Sequence, residues 1–487
     1  MSTGDDQRWY EVEQTRGDWF TDGDATDGRP EKKAPSTTVR EEARDVPVHA
    51  EADVLVVGGG PAGCAAATAA ARMGADVLLV ERYGHLGGLA TGGLVFWIDR
   101  MTDWDGNLVI SGYAADVLGR MPEDTVYGPA EELWGSHDPD QVAYWKQRQK
   151  AFRDTVTWSP TVDPEWLQLA SLDLLREAGA RLLLHSWMST ALVEDEDVRG
   201  VVFESKQGRR AILAKVVVDA SGDLDVLARA GAPFESDIDS GDVNHCINTA
   251  WTWTGVDMDR WFSFVLGQPD DYRELMERGT AALGYVEPPM ASWRDEVALF
   301  LGPRLSGYSG VDVDDLTAVE LESRRRMVAH LSWFRANAPG FEHAWLMTTA
   351  AQIGIRHTRR LNGVRKMTNA DWKAAVRHTD EIGVSPSPGT KFAPVSVPYG
   401  AIVSADFANV LAAGRHIACD PSTQSFMREI PQCWLTGQAA GVAAALAVAH
   451  GVRVADVDVT RVQEELRRQN VFLHEATAAV TARTEQA

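Results

Sequence analysis

The sequence has little of what disulfide, zinc or nucleic-acid-binding proteins need. Its four cysteines, Cys64, Cys246, Cys419 and Cys433, show no CxxC spacing and no zinc-type histidine pair, so neither a disulfide framework nor a metal site is predicted. Basic residues are scarce, because 47 Lys and Arg stand against 70 Asp and Glu. The net charge of −23 disfavours nucleic acid and anionic lipid as partners.

Long apolar runs are missing too. The longest, residues 439–449, contains Gly441 and is shorter than the roughly 20 residues that a membrane span needs. The first residues are polar and acidic, without the apolar core of a secretory signal. We therefore predict a cytoplasmic protein with no membrane partner, and a homo-oligomer is compatible with the sequence.

The 487 residues, 45% of them hydrophobic, suffice for about three compact units at roughly 150 residues each. Segments typical of nucleotide-binding domains occur early, in the middle and late. This order predicts an α/β fold with a discontinuous Rossmann-like domain, a parallel sheet with helices plus a small β-meander, and an inserted mixed α/β substrate domain. The predicted boundaries are 1–45 for a polar N-terminal arm, 46–95, 161–235 and 399–452 for the nucleotide domain, 96–160 for a substrate-side insert, 236–398 for the substrate domain and 453–487 for a C-terminal tail or helix.

A βαβ unit begins shortly after residue 50. The apolar run ADVLVV (52–57) predicts a strand, the alanine-rich residues 61–73 a helix, and ADVLLVE (75–81) a second strand parallel to the first. Further elements are expected from apolar runs and the turns between them. They are a helix after Pro164, several short strands over 181–219 with turns at 194–200 and 206–208, a strand over 216–220, a strand over 410–413 and a helix over 431–450.

Gly58, Gly60 and Gly63 form a GxGxxG pattern in the first turn of this unit. Gly58 permits the tight turn, Gly60 lets a pyrophosphate approach the backbone, and Gly63 lets the helix pack against the strand. The free N–H groups at the start of the helix bind phosphates. Glu81, at the end of the second strand, is placed to accept hydrogen bonds from ribose hydroxyls and repels a 2′-phosphate. The pattern therefore predicts FAD or NAD rather than NADP.

The run ERYGHLGGLATGGLV after the second strand resembles the signature of the FAD-dependent oxidoreductases of the glutathione-reductase-like superfamily. More narrowly, it is similar to a bacterial family with the pattern ERYGxLGGxATxGxV. Further motifs match in the same order: VVVDASGDLDVLARAGAP (216–233), IGIRHTRRLNG (353–363), VPYGAIVSADFANVLAAGRHIA (397–418) and CWLTGQAAG (433–441). The resemblance spans about residues 45–450 and implies a non-covalently bound FAD.

The resemblance also implies which residues hold each part of FAD. It places the pyrophosphate at Gly58, Gly60, Pro61, Ala62 and Gly63, the ribose at Glu81 and the adenosine end at Arg82. It places the flavin ring over Gly87, Gly88, Ala90 and Thr91, and a second phosphate-side turn at Gly222 and Asp223. The ribityl chain is expected at Gly414 and Arg415, and the pyrimidine end of the flavin at Arg428, Gln432 and Gln438. The chain departs from the family at His85, where an apolar residue is usual, and in CDPSTQSFMRE (419–429).

The catalytic candidates are His85, His245 and Arg359. For each histidine, proton transfer competes with a structural role, and a neutral His85 ring packed beneath the flavin is one such role. Arg359 belongs to a cationic cluster with Arg356 and Arg360, which suits an anionic substrate, and pairing with acids of the chain is the alternative. The tryptophans Trp97, Trp251 and Trp253 are candidates for an aromatic pocket or for core packing.

The resulting hypothesis is an FAD-dependent oxidoreductase that removes a hydride from a small organic substrate, in bacterial secondary metabolism. The alternative is a flavin monooxygenase that uses reduced FAD and O₂. Since the chain has no second GxGxxG, NAD(P)H is expected only as a transient external reductant. A flavin-bound regulatory protein without turnover is a third hypothesis, against which the glycine-rich loop at 87–93 argues.

Overall fold

The architecture is that of a computed structural model, which describes residues 37–236 and 246–474. Most of the predicted N-terminal arm, the candidate His245 and the end of the predicted C-terminal tail lie outside these described residues. The helices within them are α1 (Pro61–Arg72), α2 (Tyr113–Gly119), α3 (Pro139–Gln147), α4 (Pro164–Ala178), α5 (Asp225–Ala230), α6 (Met258–Gly267), α7 (Pro269–Leu283), α8 (Val313–Asn337), α9 (Asn369–Lys373), α10 (Pro421–Met427), α11 (Ile430–His450) and α12 (Val459–Arg468).

Strands of two to ten residues alternate with these helices. In chain order they are β1 (Val48–Val57), β2 (Val77–Val80), β3 (Val126–Tyr127), β4 (Ala151–Phe152), β5 (Thr155–Val156), β6 (Thr161–Val162), β7 (Arg181–Leu183), β8 (Trp187–Glu194), β9 (Asp197–Glu204), β10 (Arg210–Asp219), β11 (Phe234–Glu235), β12 (Ile247–Asn248), β13 (Trp251–Thr254), β14 (Met290–Ala291), β15 (Val297–Phe300), β16 (Trp345–Thr349), β17 (Gly354–Ile355), β18 (Arg360–Leu361), β19 (Glu381–Ser385), β20 (Val395–Pro398) and β21 (Val410–Ala412).

The main sheet has the order β7-β2-β1-β10-β9-β8, and β21 pairs with β10. The pairs β7–β2, β2–β1, β1–β10 and β10–β21 are parallel, whereas β10–β9 and β9–β8 are antiparallel. The amino-terminal half of β10 pairs with β9 and its carboxyl-terminal half with β21. Strands that are distant in sequence therefore end side by side, and the carboxyl edge of such a sheet is where α/β proteins bind ligands.

In the centre of this sheet, where the strands run parallel, each strand carries a continuous apolar stretch. Residues 54–57, 77–80 and 216–218 are Val or Leu, and all of them are buried. A strand that is buried on both faces has no polar side to offer water, which is the condition of parallel sheets covered by helices.

Helices α1 and α11 cover one face of the sheet at very short distance from each other. Side-chain carbons added at Gly437 and Gly441 would overlap the carbonyl oxygens of Ala62 and Ala66. Within the described residues, α11 is the one helix long and apolar enough to cross a membrane, and 83% of its apolar window is buried inside the protein. It packs here as the core helix of the fold.

A second layered unit extends from β13 to β16. Its sheet has the order β14-β15-β13-β16, and aromatic side chains fill the core between this sheet and helices α6 and α8. Trp251 stacks on Phe300 with ring centres 5.3 Å apart, and Trp253 lies 4.2 Å from the same ring. Both tryptophans are fully buried, so core packing rather than a pocket accounts for them.

The predicted βαβ unit is confirmed to within a few residues at each boundary. The prediction of a turn over 194–200 was wrong, because the turn occupies only residues 195–196 and β9 already begins at Asp197. Asp195 takes a left-handed conformation (φ 53°), which closes the hairpin in two residues. The strand predicted over 216–220 likewise starts earlier, at Arg210.

Candidate functional site

One cavity of about 430 Å³ opens at the carboxyl ends of the parallel strands. Its first wall is the turn from β1 to α1. Gly58 has φ 105°, and a side chain on Gly58 or Gly63 would overlap neighbouring backbone. A side-chain carbon on Gly60 would meet only the Cα of Gly88, at 4.0 Å, so the space above Gly60 belongs to the cavity.

The amino-terminal end of α1 is arranged to bind an anion. Gly60 is the N-cap, Pro61 is the first helical residue, and neither a side-chain cap nor an acidic residue occupies the first turn. Pro61 and Ala62 line the cavity. The first N–H groups and the positive end of the helix dipole therefore face the position predicted for the pyrophosphate.

Glu81 follows β2 and connects the strand to the glycine turn. Its Oε2 accepts from the Gly59 N–H at 2.6 Å and its Oε1 from the Tyr83 N–H at 2.8 Å. Arg82 lies next to it, with the guanidinium 5.3 Å from the ring centre of Trp187. Glu81, Arg82 and Trp187 all line the cavity. Sequence reasoning missed Trp187, which is 58% exposed at the start of β8.

The predicted flavin-side loop is held against the glycine turn. The Gly87 N–H donates to the Gly59 carbonyl at 2.8 Å, and the Thr91 hydroxyl donates to the Leu86 carbonyl at 2.5 Å. Of the four residues predicted here, Gly88 lines the cavity, whereas Gly87, Ala90 and Thr91 shape the turn behind it. Ala90 and Thr91 are buried.

The second phosphate-side turn follows β10. Gly222 lines the cavity, and Asp223 lies behind it, where its Oδ1 accepts from Arg415 at 2.7 Å and from the Thr358 hydroxyl at 2.8 Å. Burial raises the pKa of Asp223, but Arg415 and Arg82 outweigh burial and hold the pKa below its usual value. The carboxylate therefore stays charged and fixes Arg415 at the cavity wall.

The residues predicted near the ribityl chain and the pyrimidine end separate into two groups. Gly414, Arg415 and Arg428 line the cavity. Gln432 lies behind the wall and donates to the Ser385 hydroxyl at 3.1 Å. Gln438 accepts from the Tyr113 N–H at 2.9 Å and donates to Gln469 at 3.1 Å, which ties α11 to α2 and α12.

Two of the three catalytic candidates, His85 and Arg359, belong to the part of the chain that the structure describes, and neither lines the cavity. The His85 ring stacks on Tyr83 with centres 5.1 Å apart, and its Nε2 is 3.3 Å from Oε1 of Gln352, which does line the cavity. Arg359 donates to the Asp223 carbonyl at 2.8 Å and to Asp225 at 3.1 Å. Arg359 thus pairs with an acid of the chain, Asp225, beside the second phosphate-side turn, the alternative that the sequence left open.

The rest of the arginine cluster also divides. Arg360 is 1% exposed and pairs with Glu235 at 3.0 Å, away from the cavity. Arg356 lines the cavity, as does Trp97 among the candidate tryptophans. One motif, IGIRHTRR, therefore serves both the cavity wall and the packing behind it.

Several polar groups of the cavity wall were missed by the sequence reading. They are Asp99, Asn248, Glu287, Arg304, Gln352 and Glu429. Glu287 is 1% exposed, and burial raises its pKa, against the opposing effect of Arg304 and Arg356. The one sequence feature that could have identified Glu287 is its position as a single acid beside two prolines in the apolar run YVEPPM (285–290).

The residues present fit a flavin dinucleotide. The bare Gly60 leaves a cradle that a side chain would fill, the uncapped helix α1 matches a diphosphate, and Glu81 and Arg82 stand where ribose and adenine are expected. The cavity size lies within the range of about 300–1,000 Å³ common for ligand pockets.

Curated proteins resemble parts of the chain. It is 27% identical over 215 residues to digeranylgeranylglycerophospholipid reductase 2 of Methanopyrus kandleri, which covers 43% of this chain and 46% of that protein. It is 30% identical over 192 residues to thiamine thiazole synthase of Aeropyrum pernix, which covers 37% of this chain and 58% of that protein. The matches thus span about half the length of these relatives.

Solved structures align over more of the chain. A geranylgeranyl bacteriochlorophyll reductase-like protein of Thermoplasma acidophilum covers 86% of this chain and 83% of its own, at 15% identity and a TM-score of 0.44. The flavin-dependent brominase Bmp2 covers 86% of this chain and 84% of its own, at 14% identity and a TM-score of 0.43. A family model described as FAD dependent oxidoreductase matches residues 53–466. The chain therefore belongs to the FAD-dependent oxidoreductase family and is a flavoprotein with FAD as its cofactor.

Proposed function

We propose that this enzyme removes a hydride from a C–H bond next to nitrogen or oxygen in a small organic substrate. The observation that carries the proposal is the continuity of the cavity. It joins the glycine turn at Gly60 to polar side chains such as Asn248, Glu287 and Gln352, which lie outside the motifs assigned to FAD. A substrate held among these groups shares one enclosed space with the cofactor, as hydride transfer requires.

FAD supplies two-electron chemistry when bound, and the chain supplies its surroundings. Helix α11 begins at Ile430 with Pro431 in its first turn, and no side chain caps this end. Glu429, Ile430 and Cys433 line the cavity. The helix therefore directs its positive end toward the predicted pyrimidine side, where it stabilises negative charge.

The same proposal extends to the fold and its setting. We infer a Rossmann-like FAD domain assembled from 46–95, 161–235 and 399–452, with 96–160 and 236–398 on the substrate side. The parallel pairing of β1, β2, β10 and β21, which belong to these three stretches, supports this division. The motif match to the bacterial subgroup and the acidic composition support a cytoplasmic enzyme of bacterial secondary metabolism.

The test is anaerobic mixing of the FAD-loaded protein with candidate substrates, with the flavin absorbance as the readout. Hydride removal predicts that the absorbance bleaches without an added reductant and returns when air is admitted. Substrate-stimulated NAD(P)H consumption with incorporation of labelled oxygen would instead establish monooxygenation. A flavin that only dithionite reduces would contradict both reactions.

A further inference from the structure

One aromatic side chain of the cavity wall is left largely uncovered by the protein. Three tryptophans of the described residues are strongly exposed, namely Trp166, Trp187 and Trp345. Trp187, which is 58% exposed, lines the cavity, whereas the other two lie elsewhere on the surface. A single exposed ring on an open surface is common and needs no explanation. An exposed ring on the wall of a binding cavity is different, because a ligand can cover it.

The backbone holds Trp187 beside the end of β2. The Glu81 N–H donates to the Leu183 carbonyl at 2.8 Å, and the Ser186 N–H donates to the Glu81 carbonyl at 2.9 Å. Trp187 is the next residue, at the start of β8, which is an edge strand of the main sheet. Glu81 is where the ribose of FAD is expected, and the adenine is bonded directly to that ribose. The indole of Trp187 therefore lies at the end of the cavity where the adenine is expected.

Arg82 supports the indole from one side. Its guanidinium carbon lies 4.9 Å from the ring centre of Tyr83 and 5.3 Å from that of Trp187, so the cation packs between the two rings. Tyr83 in turn stacks on the His85 ring. Burial opposes the charge of Arg82, but Tyr83 and Asp223 outweigh burial and raise its pKa. The guanidinium therefore stays charged over one face of the indole and leaves the opposite face for a ligand.

We propose that the Trp187 indole stacks on the adenine of FAD, so that this one side chain makes the protein select FAD over a flavin without adenosine. Aromatic side chains hold nucleobases by stacking, because every base has a flat π face. Arg82 fixes the indole before the cofactor arrives, which reduces the entropy lost on binding. The inference goes beyond the proposed function, because it concerns how FAD is held and does not depend on the reaction that the enzyme catalyses.

The test compares FAD with FMN, which carries the same flavin without the adenosine. Each is titrated into the full-length protein freed of its cofactor, and the change in flavin fluorescence gives the Kd. Trp187→Ala is expected to raise the Kd for FAD about tenfold or more, because it removes the stacking surface for the base, and to leave the Kd for FMN within about twofold. An unchanged Kd for FAD, or an equal loss for FAD and FMN, would overturn the proposal.

Two further variants separate stacking from simple covering by an apolar group. Trp187→Phe keeps an aromatic ring and is expected to hold FAD within about threefold of wild type, whereas Trp187→Leu has no ring and should lose about as much affinity as Trp187→Ala. Equal FAD binding by the leucine and phenylalanine variants would refute stacking. The matched control is Trp345→Ala, because Trp345 is 57% exposed on the edge strand β16 and does not line the cavity. It should leave both Kd values unchanged.

The absorbance of the bound flavin supplies a second readout. At saturating FAD, Trp187→Ala should show the wild-type flavin spectrum and a native circular dichroism spectrum, because the substitution lies at the adenine end. A shifted flavin spectrum would place Trp187 at the flavin ring and overturn the proposal. This comparison decides the position of Trp187 where FMN binds too weakly to measure. If Trp187→Ala does not fold, Trp187→Leu takes its place, with the same selective loss of FAD expected.

Discussion

Gly60 matters through the side chain that it lacks. Its backbone angles, φ −71° and ψ −173°, lie in the extended region that most residues adopt. The backbone conformation at position 60 therefore does not require glycine. The space beside it is open to the cavity, with Gly88 as the nearest wall at 4.0 Å. The folded chain itself does not require glycine here, and we expect the requirement to come from the ligand.

Gly60→Val is therefore expected to fold and to lose FAD. The β-branched side chain fits the backbone but occupies the space of the pyrophosphate. The purified variant should be colourless, with a native circular dichroism spectrum. The control is Gly267→Val, because that position has no neighbour within 4 Å and no positive φ, and its FAD content should equal the wild type. A yellow Gly60→Val protein at full occupancy would show that the loop does not hold the cofactor.

Lys150 is a fully buried cation just after α3. Its Nζ donates to the Arg148 carbonyl at 3.2 Å and lies 5.8 Å from the ring centre of Tyr127. Burial, and secondarily the Arg148 guanidinium, lower the pKa of Lys150 to about 7. The unfolded chain keeps the ordinary pKa near 10.4, so it binds more protons than the folded chain between about pH 7 and pH 10. The free energy of unfolding therefore rises with pH across this window.

Lys150→Met is expected to stabilise the protein at pH 7 by on the order of 2 kcal/mol, because it removes the cost of a buried charge while keeping a similar shape. The gain should shrink toward pH 10, where the folded lysine is neutral and the unfolded lysine begins to lose its proton. Denaturant unfolding at the two pH values measures it. Lys146→Met, at an exposed position of α3, is the control and should change little at either pH. A pH-independent gain would contradict the assigned cause.

Helices α1 and α11 can pack closely only because small residues lie between them. Their backbones approach so closely that Gly437 and Gly441 lie against the carbonyls of α1. The same contact sets the position of α1, and with it the end of that helix at which we expect phosphate to bind. The small residues of α11 thus serve packing first and the site second.

Gly441→Ala is expected to destabilise the fold by about 1–3 kcal/mol, the usual cost of forcing an extra carbon into a packed interface. FAD affinity should fall with it, because α1 must move. Gly119→Ala, at the end of α2 with no neighbour within 4 Å, is the matched control and should be neutral or slightly stabilising. Thermal unfolding and FAD titration of both variants test the prediction. Equal stability of the two would mean that the helices separate at little cost.

The site exists only when distant parts of the chain meet. Residues 57–58, 60–62, 80–82, 220–222 and 413–415 line one cavity because β1, β2, β10 and β21 are neighbours in the sheet. The second layered unit completes the wall with residues such as Glu287 and Arg304. A ligand in this cavity contacts residues from several distant segments, which come together only in the folded chain.

FAD is accordingly expected to stabilise the protein through mass action. At a free concentration about 100 times its Kd, it should add about 2.7 kcal/mol to the free energy of unfolding. Apo-protein titrated with FAD should show an unfolding midpoint that rises with the logarithm of FAD concentration. The Gly60→Val variant serves as control, because its midpoint should not respond. If the unfolding midpoint of the wild-type protein did not change with FAD concentration, FAD binding across these strands would be contradicted.

Many residues predicted for the cofactor site line one cavity, because their positions follow from local interactions. Gly58, Gly60 and Gly63 meet within one turn, and Glu81 reaches the same turn through one strand pairing. The assignment of residues further along was less direct. Gln438 matches the motif but bonds to Tyr113 and Gln469, since its direction depends on how α11 rotates against its neighbours.

The sequence by itself determined the βαβ unit, because two short apolar strands, a glycine turn and an alanine-rich helix follow one another within about 30 residues. Only the tertiary structure decided which charges share the cavity. Glu287, Arg304 and Arg356 are separated by tens of residues and carry no common spacing. Arg359 belongs to the same motif as Arg356, yet it pairs with Asp225 and does not line the cavity. Side-chain direction across separate strands and loops depends on packing of the whole chain, and no local pattern encodes it.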